Sequence, residues 1–289
     1  MNKQYWPYLV PFLVFLVLTY AGSGLLVNFK LTNQSLENLR NNGLSDEVVN
    51  RLRLLEEQEF AKKQDFWEAI EKQIGMEAAA LHKKLITKQA EIPYGMYIFY
   101  PLKTLLVAAL LYYYRKSYSE IVFKFSWLAL IVGIITFVVW VVPEQWYGQV
   151  TLGSWKFNPF KLGFSEFNPY LFGKNWIAYL LIVFRLTGAV LVVPIMEELF
   201  WRSFAIRWLI NDKDFTQVQI GTFTWFSCSV IVLGFGFEHH RWVVGILAGI
   251  LYHALLYYKK DLFHCILAHA VTNLLLGIYV LVTAQWTFW

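Results

Sequence analysis

Three short clusters in the last third of the chain hold side chains able to do acid–base chemistry: Glu197 and Glu198 followed by Arg202, Phe235 followed by Glu238-His239-His240, and His269 followed by Asn273. Neighbouring residues on a helix point about 100° apart, so Glu197 and Glu198 cannot serve one target. Glu198 and Arg202 are spaced i, i+4 on one face, which makes an intrahelical ion pair the economical reading. That leaves Glu197 as a desolvated carboxylate without a cationic partner, the kind of group that works as a general base. His269 and Asn273 also share a face at i, i+4 and bring two hydrogen-bonding groups that need carry no charge. Each cluster also has a plainer reading. The acids could be membrane-interface charges, His239 an ordinary helix-end histidine, and His269 with Asn273 the polar glue between two helices.

The elements that must position these groups are membrane helices. Hydrophobic residues make up 57% of the 289 residues and aromatic residues 19%, more than a water-soluble globular chain usually carries. Apolar runs occur at Tyr5–Val27, Tyr94–Tyr114, Ile121–Val142, Trp176–Pro194, Ile220–Phe237, Trp242–Tyr258 and Leu262–Val282. Each is near the roughly 20 residues that cross a bilayer as a helix. The runs lack strand-like alternation, and in lipid every backbone group must be satisfied internally, so the expected fold is an all-α polytopic bundle of seven or eight transmembrane helices. An ionisable cluster in such a setting signals a site.

Residues 30–93 differ, being rich in Glu, Lys, Gln and Arg, with apolar residues at helical spacing such as Leu52, Leu55, Ile70, Ile74, Leu81 and Leu85. Ser45 before Asp46 and Glu47 is a helix start. An extramembrane helical hairpin is the expectation, and its nearly balanced charge argues against a nucleic-acid surface. The first apolar run reads as an uncleaved anchor. Cys228 and Cys265 read as buried apolar thiols. Lys3, Arg115, Lys116, Lys124, Arg207, Lys213, Lys259 and Lys260 fall in alternate connections, which places those connections and the N-terminus in the cytoplasm, with Trp286–Trp289, Trp146, Tyr147 and Trp155 in an outer aromatic belt.

Together the three clusters resemble the CPBP intramembrane proteases, the type II CAAX prenyl endopeptidases and their bacterial relatives. Their ordered motifs EExxxR, FxxxH and HxxxN stand here as Glu197-Glu198-x-x-x-Arg202, Phe235-x-x-x-His239 and His269-x-x-x-Asn273. Val141-Val142-Pro143-Glu144 and the Trp-rich C-terminus resemble, more weakly, the branch associated with exosortase and PEP-CTERM sorting. The resemblance implies an intramembrane endopeptidase in which Glu197 and His239 activate a water and His269 and Asn273 stabilise the oxyanion, with Glu198 and Arg202 supporting the site. The chain then has three expected parts: a transmembrane anchor at 1–29, the charged hairpin at 30–93, which is not part of the family core, and a membrane-embedded domain at 94–289 that the resemblance makes the protease. The implied partners are the lipid bilayer and a membrane-associated peptide or protein substrate, prenylated or carrying a sorting signal, and no nucleic acid; the implied location is a bacterial inner membrane.

No cofactor is expected, although Glu197, His239 and His269 have the composition of a zinc site, the runner-up. No Ser-x-x-Lys or Gly-x-Ser-x-Gly offers a rival nucleophile. A non-proteolytic scaffold of a sorting or cell-envelope system is the alternative function, and a transporter would call for an internal duplication that is not seen. One difficulty stands: counted from the inner surface, His239 comes out deeper than His269, which requires tilted helices or a re-entrant stretch around Phe215–Thr222.

Overall fold

The computed structural model describes residues 3–146, 150–152, 155–157 and 167–289 of the chain. They fall into two compact units, one formed by Met1–Val17 with Pro101–Trp289 and the other by Leu18–Tyr100.

In chain order the helices are α1 (Trp6–Gly24), α2 (Asn33–Asn41), α3 (Asp46–Leu52), α4 (Lys63–Ile74), α5 (Met76–Ala90), α6 (Tyr94–Tyr113) and α7 (Trp127–Trp146). They are followed by α8 (Trp176–Ile210), α9 (Trp225–Glu238), α10 (Trp242–Lys259) and α11 (Leu262–Thr283). Among the described residues α6, α8, α10 and α11 are long and apolar enough to cross a membrane, while Trp6–Gly22, Trp127–Pro143 and Trp225–Glu238 are apolar but shorter. Each expected apolar run contains a helix, and the 14-residue α9 is the shortest of them. Large apolar side chains such as Val17, Ile98, Leu105, Val183, Phe226 and Ile250 stand exposed along these helices. This is an integral membrane protein built of helices.

The smaller unit is more elaborate than the expected hairpin. Strands β1 (Val27–Lys30), β2 (Glu59–Phe60) and β3 (Glu91–Pro93) form an antiparallel sheet in the order β2-β1-β3, with Phe29 opposite both Phe60 and Glu91. Thr32 caps α2 and Ser45 caps α3, as its position before two acids implies. Phe29, Leu31, Leu36, Leu39, Leu52 and Phe66 lead the core, joined by Leu55, Ile70 and Ile74. Leu81 is 78% exposed, so the apolar stripe of α5 runs instead through Ala79, Ile86 and Ala90. Three short strands and their turns interrupt the periodicity, which is why helical spacing alone suggested only two helices.

In the larger unit the principal difference from expectation lies in α8, which does not stop at Pro194 but continues to Ile210. Proline inside an α-helix removes one ladder bond and collides with the preceding turn. Here a π-helical turn at Gly188–Val192 precedes it, and the Val193 N–H reaches back to Gly188 O. The wider turn accommodates the ring. A second π-helical stretch, Leu199–Ala205, follows Glu198, and such irregularities recur at functional sites. The far end of α8 is tied down by Glu120, whose Oε1 accepts hydrogen bonds from Tyr8 Oη (2.9 Å), Arg207 Nη2 (3.2 Å) and Ser203 Oγ.

Helix α7 lies against α11 so closely that a Cβ on Gly133 would stand 2.6 Å from Ala268 O. A Cβ on Gly236 of α9 would meet Ile246 Cγ1 of α10 at 2.3 Å. These two approaches hold α7 to α11 and α9 to α10. At the C-terminus Trp286, Phe288 and Trp289 are buried, with Trp286 against Tyr170 and Trp289 against Phe167. They pack within the protein instead of forming the expected lipid–water belt. Tyr147 and the side chains of Trp146 and Trp155, also assigned to that belt, lie outside the described residues. Cys265 is buried as expected and Cys228 is half-buried.

Candidate active site

The site is built on the stretch of α8 between its two π-helical turns. Glu197 and Glu198 are both buried there, and Glu198 and Arg202 are 0% exposed. Arg202 Nη1 donates to Glu198 Oε1 at 3.3 Å, the i, i+4 pair expected from spacing. The guanidinium carbon also lies over Phe235, 3.9 Å from the ring centroid, and over Tyr252 at 5.5 Å. Burial of an ion pair costs solvation that only good partners restore, and two aromatic faces supply part of it.

The same Glu198 oxygen has a second partner. His269 Nδ1 stands 2.9 Å from Glu198 Oε1, reaching across from α11. Tyr252 stacks on the His269 ring at a centroid distance of 5.2 Å, and its Oη donates to Thr272 Oγ1 at 2.9 Å. Thr272 Oγ1 in turn donates to Gly133 O at 2.9 Å. This chain of contacts fixes the orientation of the His269 ring, with Nε2 as its remaining nitrogen.

His239 follows the last residue of α9, and its Nδ1–H donates to Phe235 O at 2.7 Å. A carbonyl only accepts, so in the neutral ring Nε2 carries the lone pair. Phe235 lies between the two imidazoles, 4.7 Å from His239 and 6.1 Å from His269 by ring centroids. Both imidazoles stand beside the Phe235 ring although they come from different helices. Helix α9 starts at Trp225, five residues after the start of the expected apolar run, and its 14 residues give about 21 Å of rise up to His239.

Asn273 Nδ2 donates to Ala189 O at 2.7 Å. Ala189 sits in the first π-helical turn, where the next donor in register would be residue 194, a proline with no N–H. Asn273 thus satisfies a carbonyl that Pro194 leaves without a helical donor, and keeps one amide hydrogen for other use.

Three residues at the site were not singled out from spacing. Lys103 of α6 is buried, its ammonium 4.1 Å from the Phe15 ring, and its charge acts on Glu197 and Glu238. Trp201 Nε1 donates to Glu238 Oε2 at 2.8 Å. Among the described residues Glu197 Oε2 and Glu238 Oε1 are buried without a hydrogen-bond partner. A single lysine inside an apolar run and an acid beside a histidine were the available signals. Among the described residues no three of His, Cys, Asp and Glu converge to hold a metal ion.

Residues 175–275 match the family model described as Type II CAAX prenyl endopeptidase Rce1-like. That segment is similar to the Rce1-like family. The match covers just over a third of the sequence and contains Glu197, Glu198, Arg202, His239, His269 and Asn273. No curated protein and no solved structure matches. The Rce1-like match supports a CAAX-type intramembrane protease, and the buried ionic cluster of α8 falls within it.

Proposed function

We propose that the chain is an intramembrane endopeptidase that hydrolyses peptide bonds of membrane-associated substrates, prenylated or carrying a sorting signal, by attack of a water activated by Glu197 and His239. The observation that carries this reading is Glu197 Oε2, buried without a hydrogen-bond partner beside an acid whose Oε1 is already committed to Arg202 and His269. Glu197 is the carboxylate left to take a proton, and His239 Nε2 is an acceptor held in a fixed tautomer. His269 and Asn273 would serve the oxyanion. With Nδ1 held by the Glu198 carboxylate, His269 has Nε2 left to face the oxyanion. Asn273 contributes its second amide hydrogen. The chain would sit in a bacterial inner membrane with its N-terminus in the cytoplasm, as its alternating cationic connections favour.

The test is turnover of farnesylated C-terminal peptides by the purified protein in lipid nanodiscs, wild type against Glu197→Gln. The amide keeps the volume and loses the base, so hydrolysis should vanish while the thermal midpoint stays close to wild type. Full activity in this variant would remove Glu197 from the mechanism.

A further inference from the structure

We propose that Glu238 is the second member of a proton-sharing carboxyl pair with Glu197 and hands the leaving nitrogen its proton; this rests on Glu197 being the base. Three observations associate the two acids. Trp201 lies one turn beyond Glu197 on α8, and its indole N–H holds Glu238 Oε2 at 2.8 Å. Among the described residues the other oxygen of Glu238, Oε1, and Oε2 of Glu197 are both buried and both lack a hydrogen-bond partner. The charges of the two carboxyls act directly on one another.

Two buried oxygens of this kind need an explanation, because leaving either unsatisfied is costly. A single proton supplies it. A carboxylic acid donates from one oxygen, a carboxylate accepts, and two like charges at close quarters favour one shared proton over two anions. The charged groups facing the pair are Lys103 from α6 and Glu198 and Arg202 from α8, with His239 adjoining Glu238 in the chain.

The reaction then balances. The water oxygen bonds to the carbonyl carbon while one of its protons passes to the Glu197 carboxylate. The C–N bond breaks, its electron pair remains on nitrogen, and that nitrogen takes the proton of the Glu238 carboxyl. The proton on Glu197 returns to Glu238, and the pair is as it began.

The experiment is the pH dependence of kcat and KM for wild type, Glu238→Gln, Trp201→Phe and Glu197→Gln in nanodiscs, with thermal midpoints recorded for each. Glu238→Gln should lower kcat on the order of 10²-fold, abolish the alkaline limb of the profile and leave KM unchanged. Trp201→Phe keeps the ring and removes the donor, so it should displace the alkaline limb. Wild-type kcat with both limbs in Glu238→Gln, or a loss of activity with the limbs unmoved, overturns the pair. Should Glu238→Gln fail to fold, an unchanged profile in Trp201→Phe does the same. An inactive Glu197→Gln beside either result leaves the base in place and rejects Glu238 alone, whereas an active Glu197→Gln rejects the underlying reading.

Discussion

Glu198 Oε1 takes hydrogen bonds from two directions, from Arg202 on its own helix and from His269 Nδ1 on α11. One oxygen therefore joins the ion pair of α8 to a histidine of the proposed oxyanion site. Spacing alone made Glu198 a purely structural partner of Arg202, whose loss should touch folding and not turnover. The geometry changes that expectation. Glu198→Gln should cost about 3–5 kcal/mol of stability by leaving the Arg202 charge uncompensated. It should also lower kcat of the folded fraction on the order of 10²-fold or more, because His269 loses the anion that orients it. Thermal unfolding and kcat per folded molecule measure the two separately; undiminished kcat would reduce the His269 contact to packing.

Asn273 and Pro194 should be energetically coupled although they lie on different helices. Asn273→Ala leaves Ala189 O unsatisfied in apolar surroundings, a loss of about 1–3 kcal/mol. Pro194→Ala provides a backbone N–H that can bond that carbonyl, so the same substitution should cost less in the Pro194→Ala background. A double-mutant cycle on thermal stability measures this, and strict additivity would refute it. Turnover separates the two duties of the amide. Asn273→Ala should reduce kcat on the order of 10²–10³-fold, and the doubly substituted protein should regain stability without regaining kcat.

Much of this arrangement is legible in the residues themselves. Glu198 and Arg202 share a helical face whatever surrounds them, so their pairing follows from spacing. Apolar runs near membrane length mark the helices because lipid allows backbone groups no other solution. The bond from His269 to Glu198 is not legible, since the two residues are 71 positions apart and their register depends on how closely Gly133 lets α7 approach α11. Nor is the passage of α8 through Pro194, because proline ordinarily ends or kinks a helix and only the π-helical turn and Asn273 make it tolerable here. The sheet in the smaller unit escaped notice because strands of two to four residues are too short to show alternation.

The start of α11 offers a pH-dependent test. Asp261 Oδ1 accepts from Phe263 N at 2.9 Å, and the carboxyl pairs with Lys124 and His264, each at 3.1 Å. Burial pushes this carboxyl up, but the bonds from His264 and Lys124 outweigh it and hold the group below the usual carboxylate range. A group depressed in the folded state contributes stability above its unfolded pKa of about 3.9 and loses it as pH falls through the folded value. Asp261→Ala should therefore lower stability by about 1 kcal/mol near neutral pH, the usual worth of an N-cap. The gap to wild type should close on acidification below pH ~4. A gap that stays constant with pH would mean the carboxylate charge plays no part.

Glu197, His239 and His269 are a His₂Glu set, and both histidines have Nδ1 held by an oxygen acceptor, an arrangement that would equally well orient Nε2 toward a zinc ion. Two features favour a metal-independent water instead. The imidazoles flank Phe235, and among the described residues no three ligating side chains converge on a point. Glu198 is already committed to Arg202 and His269, so its charge is not available to a divalent cation there. Turnover should accordingly survive prolonged dialysis against a strong chelator, and elemental analysis of active protein should find far less than one zinc per chain. Stoichiometric zinc, with activity lost on its removal and restored on its return, would make Glu197 a ligand and leave a metal-bound water as the nucleophile.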